Sequence, residues 1–187
     1  MQKRWLAIAA LGGLVSMPAS AAELGYDYVD VDYRFLNADD DDLEGFGLNI
    51  SLGLTDNIIG RIRNAYTEGD EVDIEILDLS VGAGYRYGAS EQLDVFGLVN
   101  WVRREFDLFV GDDAEDNGYS VMAGVRFGPV ERLELNADVE YIDVLDDSET
   151  VLGLGAVLGV WSRFHVFARA ELTDDVETYR LGGRIAF

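Results

Sequence analysis

Residues 28–35, YVDVDYRF, alternate strictly: Val29, Val31, Tyr33 and Phe35 fall on one phase, and Asp30, Asp32 and Arg34 on the other. Successive side chains of an extended strand point to opposite faces, so a period of two reads as a strand with two unlike faces. The last nine residues, YRLGGRIAF (179–187), divide the same way. Tyr179, Leu181, Gly183, Ile185 and Phe187 oppose Arg180, Gly182, Arg184 and Ala186.

The pattern recurs between these ends and predicts ten strands, at 26–36, 46–54, 58–66, 74–87, 93–106, 118–127, 133–142, 150–160, 164–172 and 178–187. Most are long enough to cross a bilayer, for which a tilted strand needs about 9–11 residues. No proline interrupts a predicted strand; Pro129 falls in a turn. The connections alternate in length. Tight ones lie at 55–57, 88–92, 128–132 and 161–163, and longer ones at 37–45, 67–73, 107–117, 143–149 and 173–177. The longer set holds 21 of the 36 acidic residues and no Lys or Arg. This predicts a ten-stranded antiparallel up-and-down transmembrane β-barrel, with eight strands as the alternative. Short periplasmic turns and longer outer loops would place both chain ends in the periplasm.

Aromatic residues supply an independent indication, since such barrels carry aromatic girdles at both membrane interfaces. Tyr85, Tyr87, Phe127, Trp161, Phe164 and Phe187 gather at the turn end, and Phe35, Phe46, Tyr66, Trp101, Tyr119, Tyr141 and Tyr179 at the loop end. All but Trp161, which lies in a turn, share the apolar phase of their strand. On that phase the third strand departs, placing Gly60 and Asn64 among Ile58, Ile62 and Tyr66.

The beginning of the chain, MQKRWLAIAALGGLVSMPASAA, has Lys3 and Arg4 ahead of an apolar run and small residues at Ala19 and Ala21. It reads as a secretory signal peptide over 1–21, cut after Ala21 or Ala22, with the barrel over 22–187. Removing Lys3 and Arg4 leaves 12 basic residues, all arginine, against 36 acidic ones, a formal charge of −24. That balance argues against nucleic acid as a partner, because polyanions are held by basic patches. The chain has no cysteine, so disulfides contribute nothing to its stability.

The polar phase is expected to line the lumen. It carries Arg34, Arg61, Arg63, Arg86, Arg104, Arg126, Arg169, Arg180 and Arg184 against Asp30, Asp32, Asp78, Asp94, Glu134, Asp138, Glu140 and Glu171. Glycines interspersed on this phase leave room for long side chains, and a guanidinium can hold a carboxylate through two bonds while keeping its charge. A soluble barrel around a small ligand would place its apolar phase inward instead. Two readings of the lumen remain: a salt-bridged plug, or a narrow pore in which Arg61 and Arg63 face Glu134, Asp138 and Glu140 across a transverse field.

GYDYVDVDYRF (25–35), VGAGYRYG (81–88), GYSVMAGVRFG (118–128) and YRLGGRIAF (179–187) resemble segments of the small Gram-negative outer-membrane barrels of the OmpA and OmpX kind. The chain is most similar to the ten-stranded, porin-like, diffusible-signal-regulated small outer-membrane proteins. The resemblance covers the whole mature chain and implies insertion by the barrel-assembly machinery. In such families that machinery reads a last strand like Tyr179, Leu181, Ile185 and Phe187. It also implies outer-membrane lipid and lipopolysaccharide as surroundings. The peptidoglycan-binding domain that follows the barrel in OmpA is absent from this sequence.

His165, the single histidine, shares the lumen phase near the turn end, where a hydrogen-bonding role is expected. Asp113-Ala114-Glu115-Asp116-Asn117-Gly118 begins like a calcium loop but lacks its distal Glu, Gly124 standing there instead. Asp39, Asp40, Asp41, Asp42, Asp113 and Glu115 are therefore expected to attract divalent cations only diffusely, at an acidic rim. No cofactor and no catalytic group is expected.

Overall fold

Backbone N–H and C=O groups inside a bilayer must be satisfied within the protein, and a sheet closed on itself satisfies them with strands alone. The computed structural model adopts that solution; it describes residues 24–38, 42–69, 74–108, 114–144 and 147–187. The strands are β1 (Tyr28–Ala38), β2 (Asp42–Gly53), β3 (Ile58–Gly69), β4 (Ile74–Ser90) and β5 (Leu93–Leu108), then β6 (Ala114–Val130), β7 (Leu133–Val144), β8 (Asp147–Gly159), β9 (Phe164–Leu172) and β10 (Val176–Ala186). Each pairs antiparallel with its sequence neighbours, and β1 closes the barrel on β10 from Tyr28↔Ala186 to Ala38↔Val176. Among the described residues no helix is long and apolar enough to cross a membrane.

The two phases separate as the period requires. Val31, Phe46, Tyr87, Val99, Leu181 and Phe187 stand exposed on the outside, while Asp30, Asp32, Asn100, Ser120, Glu140 and Arg180 are buried inside. This inversion of the usual arrangement suits a protein whose outer solvent is hydrocarbon. At the loop end the belt tyrosines are amphipathic in use as well as in kind. Tyr66 donates to Glu68 at 3.0 Å, Tyr179 to Glu177 at 2.8 Å, Tyr119 and Tyr141 to Asp143 at 3.3 and 3.4 Å, and Tyr33 to Glu44. Their rings lie on the apolar face and their hydroxyls meet carboxylates.

Tight turns close the other end. In the β2–β3 turn the Thr55 hydroxyl accepts from the backbone of Asn57 and Ile58, at 3.3 and 3.0 Å. The β4–β5 and β6–β7 hairpins close with register shifts at Gly88/Ser90 and Phe127/Val130.

The strands run further towards the loops than alternation predicts. β1 reaches Ala38, β2 starts at Asp42, β6 at Ala114 and β8 at Asp147, so much of the acidic sequence lies on strand extensions. An antiparallel ladder satisfies its own backbone in water as well as in lipid, and beyond the bilayer nothing requires one face to be apolar. The opposite correction applies at the start. Tyr26, expected within the first strand, precedes β1 and turns inward, only 6% exposed. The expected signal peptide (1–21) and Asp39, Asp40, Asp41 and Asp113 lie outside the described residues.

Candidate functional site

The lumen is stacked in three layers. At the turn end, three arginines and two tyrosines alternate. Arg86 lies 4.9 Å and Arg126 4.2 Å from the Tyr26 ring centre; Arg126 and Arg184 lie 5.8 and 3.7 Å from that of Tyr28. Carboxylates hold the arginines from their other sides. Arg126 is bidentate on Glu134 (2.8 and 2.6 Å), Arg184 is bidentate on Asp30 (2.7 and 3.0 Å), and Arg86 reaches Asp94 at 3.4 Å. Arg86 also donates to the Leu24 carbonyl at 3.4 Å, so the segment before β1 is drawn into this mouth. Tyr26 packs with Ile59, Phe96, Leu98 and Met122 in the apolar cluster beneath. Cation–π contacts in such a desolvated place strengthen ordinary packing.

The middle layer is ionic. Arg169 is bidentate on Asp138 (2.8 and 2.7 Å) and donates to Glu171 at 2.7 Å and Asn136 at 3.2 Å. Arg180 bridges Glu171 and Asp32, at 2.8 and 2.6 Å, and Arg34 adds a 3.2 Å bond to Asp32. Arg63 spans the barrel from β3 to Glu140 on β7 at 2.6 Å, and Ser120 donates to the same oxygen at 2.6 Å. Glycine makes the layer possible: a Cβ on Gly153 would lie 2.0 Å from Arg169 Nη2. Of the expected transverse set only Arg63 and Glu140 meet. Arg61 donates to the Met122 sulfur at 3.3 Å, while its Nε and Nη2 are buried without partners. Glu134 and Asp138 pair with arginines from elsewhere.

Above this layer the lumen opens into a cup of about 260 Å³ whose walls include Leu36, Ile76, Val102, Phe106, Ile142 and Val151. A smaller cavity of about 90 Å³ lies on the turn side. Arg63, Arg169, Glu171 and Arg180 line both, so the ionic layer stands between the two cavities. In the cup, Arg104 holds Asp78 at 2.6 Å and Glu149 at 3.1 Å.

The remaining candidates are scattered. His165 stands opposite Arg184 in register, and its Nε2 is buried without a hydrogen-bond partner. Asp42 accepts from Asn37 at 2.9 Å, and Glu115 from Arg103, on the outward phase, at 3.1 Å. Tyr179, Leu181, Ile185 and Phe187 all project outwards. Sequence reasoning did not identify the Tyr26–Tyr28 stack or the apolar cup. Both had a signal: Tyr26 and Tyr28 share the phase of Asp30 and Asp32, and Leu36 shares that of Arg34.

A family model described as outer membrane protein beta-barrel domain matches residues 7–159. No curated protein matches the chain. Among solved structures, the NanC porin is 10% identical, with 85% of this chain and 100% of that chain covered and a TM-score of 0.58. An outer membrane channel from Pseudomonas putida F1 is 11% identical, over 96% and 100%, with a TM-score of 0.53. The attachment invasion locus protein Ail of Yersinia pestis is 18% identical, over 86% and 95%, at 0.44. At these identities the likeness is one of fold.

Proposed function

The chain belongs to the outer membrane protein beta-barrel domain family, and from that premise we propose that it is a non-enzymatic outer-membrane barrel with a closed lumen, serving a structural or surface-interaction role. The loop end faces outwards and both termini face the periplasm, an orientation supported by the tight turns at one end and the acidic strand extensions at the other. Lipid and lipopolysaccharide surround the apolar face. The last strand, with Tyr179, Leu181, Ile185 and Phe187, carries the signal read by the assembly machinery.

The observation that carries the closed-lumen reading is the ionic layer between the two cavities. Its charges pair at hydrogen-bonding distance, from 2.6 Å for Arg63–Glu140 to 3.2 Å for Arg34–Asp32, and mobile ions would have to displace those bonds to pass. The Arg–Tyr stack at the turn end is a second barrier in series. A lumen of ten strands is only modestly wider than one filled by its own side chains. Single-channel recording in a planar bilayer tests the reading: the wild-type barrel should be silent, and stepwise ion-selective openings would replace it with a narrow porin-like channel.

A further inference from the structure

In the loop-end third of the lumen the inward phase stops being predominantly charged. Leu36, Ile76, Val102, Phe106, Ile142 and Val151 turn towards the axis from five strands, where membrane lipid cannot reach them. Val102 and Ile142 are packed together with Val144, whereas Leu36, Ile76 and Phe106 remain partly open. An apolar ring in a water-accessible mouth marks a surface that gains by being covered.

Below the ring, the ionic floor has donors to spare and, among the described residues, no free acceptor side chain of matching charge. Each of the four carboxylates lining the cup, Asp78, Glu140, Glu149 and Glu171, already accepts from an arginine. Five arginines line the same space. Arg34 uses a single N–H, at 3.2 Å to Asp32, and its Nε is buried without a partner; Arg63 likewise uses one, to Glu140. A guanidinium has five such donors. Gly47 of β2 lies between the two arginines in register, and a Cβ there would sit 2.0 Å from Arg34 Nη2. Its missing side chain is what lets the Arg34 guanidinium lie in the floor.

We propose that this cup binds a small amphipathic monocarboxylate, its carboxylate on Arg34 and Arg63 and its apolar body against the ring. The cup, at about 260 Å³, falls just below the roughly 300–1,000 Å³ of sites for drug-sized ligands. A ligand of about ten non-hydrogen atoms matches that scale. A cation is disfavoured because, among the described residues, it would compete with arginine for every carboxylate that lines the cup. A purely apolar molecule would leave the floor's N–H groups facing hydrocarbon.

The test uses the full barrel in lipid nanodiscs, titrated calorimetrically with octanoate and corrected for uptake by empty nanodiscs. Octanoate should bind saturably at one site per barrel, with octanol, which lacks the charge, and acetate, which lacks the body, at least about tenfold weaker. Arg34→Gln should weaken octanoate by roughly 10- to 100-fold while leaving octanol unchanged. Asp32 retains Arg180 in that variant, so the floor should persist, as far-UV circular dichroism would show. Should Arg34→Gln fail to fold, Ile76→Ser decides, since it should weaken octanoate through the wall alone. Octanoate uptake equal to that of empty nanodiscs, or unchanged affinity in the deciding variant, overturns the proposal. The cup rests on the closed floor argued above, and conductance of the same preparation separates them. A silent barrel that does not bind overturns the cup alone; a conducting barrel that binds overturns the closed lumen alone.

Discussion

Arg169→Met would remove the side chain that joins β7 to β9 across the ionic layer. The loss falls unequally on its partners. Glu171 keeps Arg180 at 2.8 Å, but Asp138 accepts two bonds, at 2.8 and 2.7 Å, both from Arg169, and is only 7% exposed. Orphaning one member of a buried pair costs about 3–5 kcal/mol. The cavity beside Asp138 can admit water, which places the expected loss at the lower limit, about 3 kcal/mol. With a urea slope of about 2 kcal/mol/M, the unfolding midpoint should fall by about 1.5 M. Equilibrium unfolding of the liposome-inserted barrel, followed by tryptophan fluorescence, would measure it. Adding Asp138→Asn removes the orphaned charge, so the double variant should recover about 2 kcal/mol. A midpoint within about 0.25 M of wild type, or a double variant no better than the single one, would refute the ionic layer as an element of stability.

Three further substitutions probe other parts of the barrel. Tyr26→Ala removes two cation–π contacts and the packing on Phe96, Leu98 and Met122, and should cost about 3 kcal/mol in the same unfolding assay; a neutral result would detach the segment before β1 from the barrel's stability. Val99→Arg places a charge on the outward face, where Val99 is 61% exposed, and should cost about 2–4 kcal/mol if that face meets mid-bilayer hydrocarbon; stability within about 0.5 kcal/mol of wild type would contradict it. Phe187→Asp should lower the amount of folded barrel recovered from outer membranes several-fold, and normal recovery would remove the terminal-signal role.

Alternation in the sequence determined a great deal, because it is a property of one strand at a time. YVDVDYRF announces its two faces without reference to any partner, and ten such stretches joined by unequal connections leave a closed barrel as the consistent arrangement. The address of each phase follows too, since Tyr85, Trp101 and Phe187 share the outward side. Strand ends were less legible: past the bilayer the ladder continues while the hydropathy signal that marks it stops, as at Ala114–Asn117.

Tertiary structure alone decided what the lumen holds. Which carboxylate an arginine meets depends on registers accumulated across neighbouring strands and on the reach of a long side chain. So Arg63 finds Glu140 across the barrel, Arg61 finds a methionine sulfur, and Glu171 becomes shared between Arg169 and Arg180. Tyr26 could turn inward only because Arg86 and Arg126, 60 and 100 residues further along, converge beneath the same mouth. The apolar cup likewise exists only when side chains from five strands reach one height on the barrel axis, a coincidence that no single strand's periodicity encodes.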